Sequence, residues 1–269
     1  MMFPAINKQK VRHHFSEHAG EYDLYARVQK RVASRLLELA LTRAVPGPVL
    51  DVGTGTGEVA RRLVKQCPEQ TVVVSDIAHD MTRTAQQHLS GSLAADADAQ
   101  ALPFRDNSFG LVLSSSVFQW IEDLPLAFTE CHRVLKPGGR FAFALFCDGT
   151  LSELGDVFRR ALDRCHSDWP FHFQAFPELA EVETAMFDAD FTESCYHIEI
   201  EKEFHASFRD LMRGLKRIGA QNASRERPTG LFPRRVMQEM RQLYNTEYLT
   251  EDGVQASYGV LYGVASKEN

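Results

Sequence analysis

The stretch Val49-Leu50-Asp51-Val52-Gly53-Thr54-Gly55-Thr56-Gly57-Glu58 decides the fold of this 269-residue chain. Its apolar first part predicts a buried strand over residues 48–52, and a helical pattern begins near residue 58. Between them, three glycines in five residues allow positive φ angles and let a ligand approach the backbone closely. A strand, a glycine-rich turn and an immediate helix are typical of a nucleotide-type cofactor loop in a Rossmann-like domain.

The glycine spacing distinguishes between two kinds of cofactor. A dinucleotide loop has the pattern Gly-x-Gly-x-x-Gly, with the pyrophosphate on the helix N-terminus. In that frame the third glycine position holds Glu58, a carboxylate that fits poorly there. The spacing present, Gly-x-Gly-x-Gly with Asp51 two residues earlier, resembles the first motif of class I S-adenosylmethionine-dependent methyltransferases. The resemblance implies that Asp51 lies near the cationic amino group of this phosphate-free cofactor.

Strands and helices alternate from residue 48 to residue 146, which predicts a parallel, doubly wound sheet. The β-prone runs cover residues 48–52, 71–75, 93–95, 111–114 and 140–146. An N-terminal helical pattern precedes them and ends at Pro46-Gly47-Pro48. Beyond residue 148 the alternation breaks into helical segments, with two further strand-like runs at residues 196–204 and 258–265.

Further residues match the methyltransferase pattern. The resemblance implies that Asp76, at the end of the second strand, reaches the ribose hydroxyls, and that Asp98 faces the adenine amino group. Met81 would lie against the adenine ring, although simple core packing explains a methionine there equally well. The predicted cofactor-binding residues are Asp51, Gly53, Thr54, Gly55, Gly57, Asp76, Ile77, Met81, Asp98, Ala99 and Ser114.

Segments outside the cofactor loop resemble one narrower family, over nearly the whole chain. The more specific of them are Gln119-Trp120 and the block at residues 216–222, with further similarity at residues 11–29, 149–154 and 258–263. Together they look like the malonyl-acyl carrier protein O-methyltransferases of biotin synthesis. One departure is Thr54, where this family commonly has cysteine, and a small residue should serve equally.

The resemblance implies a Rossmann-like α/β fold with a seven-stranded, mostly parallel sheet flanked by helices. A single methyltransferase domain over residues 1–269 would then have four parts. These are an N-terminal helical lid (1–45), a cofactor-binding core (46–148), a substrate-side helical insertion after strand five (149–250) and a last strand (251–269).

The implied reaction moves a methyl group from S-adenosylmethionine to the free carboxylate of a malonyl thioester on acyl carrier protein. A carboxylic acid with a pKa of about 4 is ionised at neutral pH, so it needs alignment and exclusion of water but no general base. No residue is therefore predicted with certainty to be catalytic. The candidates for alignment and substrate contact are Tyr22, Gln119 and Trp120, although Tyr22 and Trp120 could equally be packing aromatics.

Charge is unevenly distributed along the chain. The net charge is −6, but residues 209–241 hold nine basic and three acidic residues, a local excess of +6. Acyl carrier proteins are acidic, and a basic patch would steer and orient one. The docking candidates are Arg209, Arg213, Lys216 and Arg217, with a solvated helical face as the simpler alternative.

Other classes of protein fit the composition less well. Five widely spaced cysteines without a Cys-x-x-Cys pair predict free thiols in the cytoplasm, and the histidine spacing predicts no metal site. There is no secretory leader pattern, and the uncharged stretch at residues 107–121 is too short to span a membrane. An acidic total does not favour nucleic acid as a partner.

Three rival functions remain open. A methyltransferase for another small acceptor, such as a quinone precursor, would keep the same fold. A nucleic-acid methyltransferase would need aromatic side chains beside the basic segment, which has few. A non-catalytic adaptor would retain the cofactor fold to present a surface, and the intact cofactor loop argues against it.

Overall fold

A computed structural model describes residues 7–89, 91–218 and 230–268 of the chain. The strands are β1 (Val49–Val52), β2 (Val72–Asp76), β3 (Leu93–Asp96), β4 (Phe109–Ser115), β5 (Leu135–Phe146), β6 (Thr192–His205), β7 (Leu249–Thr250) and β8 (Gly253–Ser266). The helices are α1 (Lys8–His18), α2 (Tyr22–Tyr25), α3 (Arg27–Ala40), α4 (Glu58–Gln66), α5 (His79–His88), α6 (Leu124–Val134), α7 (Ser152–Arg164), α8 (Leu179–Asp188), α9 (Phe208–Arg217) and α10 (Arg234–Glu247).

All these strands belong to one sheet, whose main path runs β3-β2-β1-β4-β5-β8-β6. Strands β1 to β5 pair in parallel, whereas β8 is antiparallel to both β5 and β6. The predicted mostly parallel α/β sheet is confirmed, with the two-residue strand β7 paired to β8 as an addition. The chain order reverses at β1, which lies between β2 and β4, and in such sheets ligands bind at the carboxyl ends of the strands beside this point.

Both faces of the sheet are covered. Helices α3, α4, α7 and α10 pack on one side, and α6 and α8 pack on the other. The second layer contains a group of interlocked, fully buried rings, Phe118, Phe128, Phe141 and Phe143. None of the helices in the described ranges is long and apolar enough to cross a lipid bilayer.

Several elements differ from their predicted bounds. Strand β5 begins at Leu135 rather than residue 140, because the Gly138 N–H donates to Lys267 O and Gly139 O accepts from the Lys267 N–H, which extends the ladder through the glycine turn. Strands β6 and β8 are longer than predicted because they pair with each other from Thr192–Ser266 to His205–Val254. The N-terminal helical pattern is divided into α1, α2 and α3.

Candidate functional site

The glycine loop connects β1 to α4 and takes left-handed backbone angles at all three glycines, with φ of +68° at Gly53, +56° at Gly55 and +88° at Gly57. A Cβ at Gly53 would lie 2.3 Å from Val117 Cγ2, and one at Gly57 would lie 3.2 Å from Ala85. No atom of the described residues lies within 4 Å of a Cβ at Gly55. The loop therefore packs tightly at its ends and presents open space in its middle.

A cavity lies above this loop, at the carboxyl ends of β1, β2 and β4. Nine of the eleven predicted cofactor residues line it: Asp51, Gly53, Thr54, Gly55, Asp76, Ile77, Met81, Asp98 and Ala99. Gly57 and Ser114, which were also predicted to bind the cofactor, are not among the residues that line it. Gly57 is the N-cap of α4 and packs on α5, whereas Ser114 is fully buried and its Oγ donates to Val52 O at 2.9 Å. Ser115 and Ser116 line the cavity instead.

Asp51 is the most deeply buried carboxylate of the cavity, at 1% exposure. Its Oδ2 accepts a hydrogen bond from Thr54 Oγ1 at 2.7 Å, which shows that threonine at this position supports the acid. Its Oδ1 has no hydrogen-bond partner among the described residues. Burial raises the pKa of Asp51 to about 7, against the opposing effect of the Thr54 hydrogen bond. A cationic donor would satisfy this oxygen and stabilise the ionised form.

Asp76 ends β2 and organises the loop around it. Its Oδ2 accepts from the Gly55 N–H and its Oδ1 from the Ala78 N–H, each at 2.9 Å. Burial raises its pKa to about 6, even though these backbone hydrogen bonds favour the charged form. Each carboxylate oxygen has a second lone pair, so Asp76 can hold the loop and still accept from a ligand hydroxyl.

Asp98 has two partners within the protein that the sequence did not predict. Its Oδ2 lies 2.8 Å from Lys8 Nζ, and its Oδ1 accepts from the Gln100 N–H at 3.0 Å. The lysine comes from the N-terminal helix, 90 residues earlier in the chain. Asp98 therefore lines the cavity and also anchors the helix that covers it.

The N-terminal segment covers the cavity through several contacts. Asp23 Oδ1 accepts from Thr56 Oγ1 of the glycine loop at 2.8 Å. Met81, which is fully buried, packs with Phe15 and Tyr22 from this segment, so it both lines the cavity and forms part of a small core. Burial is the main cause that raises the pKa of Tyr22, and the negative charges of Asp76 and Asp23 raise it further. The Tyr22 hydroxyl thus stays protonated near neutral pH.

A second and larger cavity, of 480 Å³, adjoins the first. The residues that line both are Phe15, Tyr22, Gln29, Ser116 and Trp120. Aromatic, leucine and methionine side chains form most of the second lining. Its charged or titratable polar members among the described residues include Lys216 and His172 but no aspartate or glutamate.

Gln119 and Trp120 have different places at this boundary. Gln119 is 3% exposed, lines only the second cavity, and is held by hydrogen bonds to Ser116 O and from the Phe146 N–H. Trp120 lines both cavities and packs edge-on against Phe15, with ring centroids 5.7 Å apart. Ser116 was not predicted from the sequence, because what marks this residue is its backbone conformation, which the residue type does not reveal.

The four basic docking candidates lie on α9 and are exposed. Arg213 pairs with Asp210 at 2.9 Å and Arg217 pairs with Glu21, whereas Lys216 lines the second cavity. Arg225, Arg227 and residues 219–222 of the predicted family block lie outside the described residues. Of the four candidates, Lys216 is thus the one that lines the second cavity.

Comparison with known proteins identifies the family. A methyltransferase domain family matches residues 50–143. A malonyl-acyl carrier protein O-methyltransferase of Geobacter sulfurreducens is 42% identical over 97% of this chain and 100% of its own length. A protein of the same name from Gallionella capsiferriformans is 34% identical over 97% of this chain and 91% of its own.

Solved structures support the same fold. The YcgJ protein of Bacillus subtilis superposes with a TM-score of 0.59 at 17% identity, covering 89% of this chain and 99% of its own. The phosphoethanolamine N-methyltransferase 2 of Haemonchus contortus, in complex with S-adenosyl-L-methionine, gives a TM-score of 0.53 at 20% identity, covering 88% of this chain and 52% of that one. These likenesses are too distant to define a substrate. The two close relatives and the matching domain family show that this chain is a methyltransferase that belongs to the malonyl-acyl carrier protein O-methyltransferase family.

Proposed function

We propose that this chain transfers the methyl group of S-adenosylmethionine to the free carboxylate of a malonyl thioester on acyl carrier protein. The product would be the methyl ester that starts pimeloyl synthesis for biotin. The observation that carries the proposal is the meeting of two cavities along a shared boundary of five residues. One cavity suits the cofactor and the other suits an anionic acceptor, so their boundary is where a methyl group would pass.

The first cavity fits S-adenosylmethionine by the chemistry of its donors and acceptors. The unpartnered Asp51 Oδ1 would accept from the cationic amino group, and Asp76 would accept from the ribose hydroxyls. Gly55 leaves room for the cofactor to lie against the loop backbone. Met81 and Ile77 would contact the adenine ring, and Ala99 would border it. Asp98 would reach the adenine amino group with the lone pairs that Lys8 leaves available.

The acceptor needs no base from the protein. When bound, the cofactor supplies a methyl group on a positively charged sulfur; an acceptor oxygen forms the new C–O bond while the C–S electron pair returns to sulfur. No proton moves in this exchange. The aromatic boundary residues Phe15, Tyr22 and Trp120 would exclude water, which leaves the carboxylate less solvated and more reactive.

The lining of the second cavity supports an anionic, carrier-bound acceptor. The described lining lacks acidic side chains, which would repel a carboxylate, and includes Lys216. The exposed Arg209, Arg213 and Arg217 lie on the same helix as Lys216, and we propose α9 as the face that meets the acidic carrier protein. This placement would bring the thioester arm to the cavity beside which its carrier docks.

The proposed parts of the domain follow from this arrangement. Residues 1–45 would act as the lid, residues 46–148 as the cofactor core, residues 149–250 as the substrate side and residues 251–269 as the last strand. The contacts of Lys8 with Asp98 and of Asp23 with Thr56 support the lid, because they join the N-terminal segment to the cofactor cavity.

A transfer assay with methyl-labelled S-adenosylmethionine tests the function. Malonyl-acyl carrier protein is compared with acetyl-acyl carrier protein, which lacks only the free carboxylate. We expect label on the malonyl form alone, in an ester that base hydrolyses. Label on neither form, with the cofactor still bound, would discard this acceptor and favour another small molecule. Cofactor binding without transfer to any of a panel of acceptors would instead support the adaptor.

A further inference from the structure

Ser116 has an unusual backbone at the boundary of the two cavities. Its φ is +61°, in the left-handed region that non-glycine residues seldom adopt. Such conformations persist where the surrounding structure enforces them, and they cluster at functional sites. Ser116 follows β4 directly, at the carboxyl edge of the sheet, and lines both cavities.

The ends of two neighbouring strands enforce this conformation. The Ser116 N–H donates to Ala144 O of β5 at 2.7 Å, and Ser116 O accepts from Gln119 Nε2 at 2.7 Å. Gln119 Oε1 in turn accepts from the Phe146 N–H at 3.3 Å. The buried Gln119 side chain thus links the loop after β4 to the end of β5 and holds the serine in place.

The side chain of Ser116 is shielded but has no partner. Its Oγ is inaccessible to solvent and lacks a hydrogen-bond partner among the described residues. Neighbouring hydroxyls behave differently: Ser114 Oγ donates to Val52 O, and Thr150 Oγ1 lies within hydrogen-bonding distance of Cys147 O and Gly259 O. A buried hydroxyl without a partner is costly, and most buried polar groups have one. Because the Oγ has no exposed surface, a ligand in either cavity that Ser116 lines would become its partner once the side chain rotates about χ1 to another staggered rotamer.

Resting on the function proposed above, we infer that the Ser116 hydroxyl donates a hydrogen bond to the acceptor carboxylate and so aims its other oxygen at the methyl group. Gln119 is the positioning residue that holds Ser116. The ligand class is an acyl thioester with a terminal carboxylate.

A single neutral donor suits this reaction better than an arginine would. Methyl transfer neutralises the carboxylate, so a full positive charge beside it would stabilise the reactant more than the transition state. A neutral hydroxyl can orient the carboxylate while stabilising the reactant less than a full positive charge would. The neutral ester accepts a weaker hydrogen bond than the carboxylate did, which favours product release.

Two substitutions separate the hydroxyl from the backbone. Ser116→Ala and Ser116→Gly both remove the hydroxyl, but glycine also relieves the left-handed strain. We expect both to lower kcat/KM for malonyl-acyl carrier protein by about tenfold, the loss of one hydrogen bond to a charged group. The dissociation constant for S-adenosylmethionine should change less than about twofold in either variant, since the hydroxyl serves the acceptor. The control is Ser108→Ala, at the opposite end of β4, whose hydroxyl donates to Arg105 O.

The outcomes distinguish this inference from the function it rests on. If wild-type enzyme does not methylate malonyl-acyl carrier protein, both fail before any variant is compared. If wild-type enzyme is active and Ser116→Gly is as active, the hydroxyl has no role and the inference is overturned. Weaker cofactor binding in both variants, with the acceptor KM unchanged, would also overturn it by assigning the hydroxyl to the cofactor.

Discussion

Lowering the pH from 7 to 6 should weaken binding of S-adenosylmethionine about fivefold, because Asp51 takes up a proton. The pKa of this buried carboxyl is raised to about 7, so half of the molecules carry the charge at pH 7. At pH 6 the ionised fraction falls to about one in eleven, and only that fraction offers a carboxylate to the cationic amino group. The ratio of the two fractions gives the expected change in dissociation constant.

Isothermal titration calorimetry at pH 7 in two buffers of different ionisation enthalpy provides the assay. Binding should lower the pKa of Asp51 and release about half a proton, the fraction protonated beforehand. Asp51→Asn should bind more weakly at pH 7 and lose most of the pH dependence. Asp163→Asn, at an exposed position of α7, is the matched control and should retain it. Proton uptake on binding, or an unchanged pH dependence in Asp51→Asn, would refute the reasoning.

The same carboxyl affects the stability of the cofactor-free protein. In the folded protein the pKa of Asp51 is about 7, above the usual 3.8. The protonated carboxyl therefore contributes its whole stabilising effect below about pH 4, and this contribution is lost as the pH rises to 7. Asp51→Asn should therefore raise the free energy of unfolding at pH 8, by at most about 4 kcal/mol. Thermal unfolding without cofactor checks this, and a lower melting temperature at pH 8 would contradict it.

Three further changes test the loop, the lid and the basic helix. Gly53→Ala should unfold at lower temperature than Gly55→Ala, because its Cβ would lie 2.3 Å from a valine methyl whereas the other meets open space; equal melting temperatures would contradict this. Hydrogen exchange in residues 7–30 should slow when cofactor is added, and unchanged exchange would argue against a lid that orders on binding. Arg213→Glu should raise the KM for the carrier protein severalfold at low salt without altering cofactor affinity, as stopped-flow binding and steady-state rates would show; an unchanged KM would remove α9 from the docking surface.

The cofactor loop was predictable because its chemistry is local. Three glycines between a strand and a helix define the turn, and Asp51 lies close to them in sequence. The mostly parallel sheet followed from alternating strand and helix patterns. The lengths of β6 and β8 did not, because each strand is stabilised by the other, through pairs from His205–Val254 to Thr192–Ser266 that are far apart in the sequence.

The boundary of the two cavities was harder to predict. Three consecutive serines follow one another at the end of β4, and residue type alone does not show which one faces a ligand. Ser114 lies within β4, and its side chain follows the alternating pattern of the strand. Ser116 lies just after the strand and has a positive φ, which the hydrogen bond from Gln119 stabilises. The contact of Lys8 with Asp98 is also non-local, joining residues 90 positions apart.

The central claim is that the methyl group goes to a free carboxylate, and intact mass spectrometry of a single turnover tests it most directly. Trideuteriomethyl S-adenosylmethionine is mixed with enzyme and equal amounts of malonyl- and acetyl-acyl carrier protein. The account predicts that the malonyl form alone gains one intact trideuteriomethyl group and loses it on mild base treatment. An unmodified malonyl form beside bound cofactor, or equal labelling of the acetyl form, would contradict it.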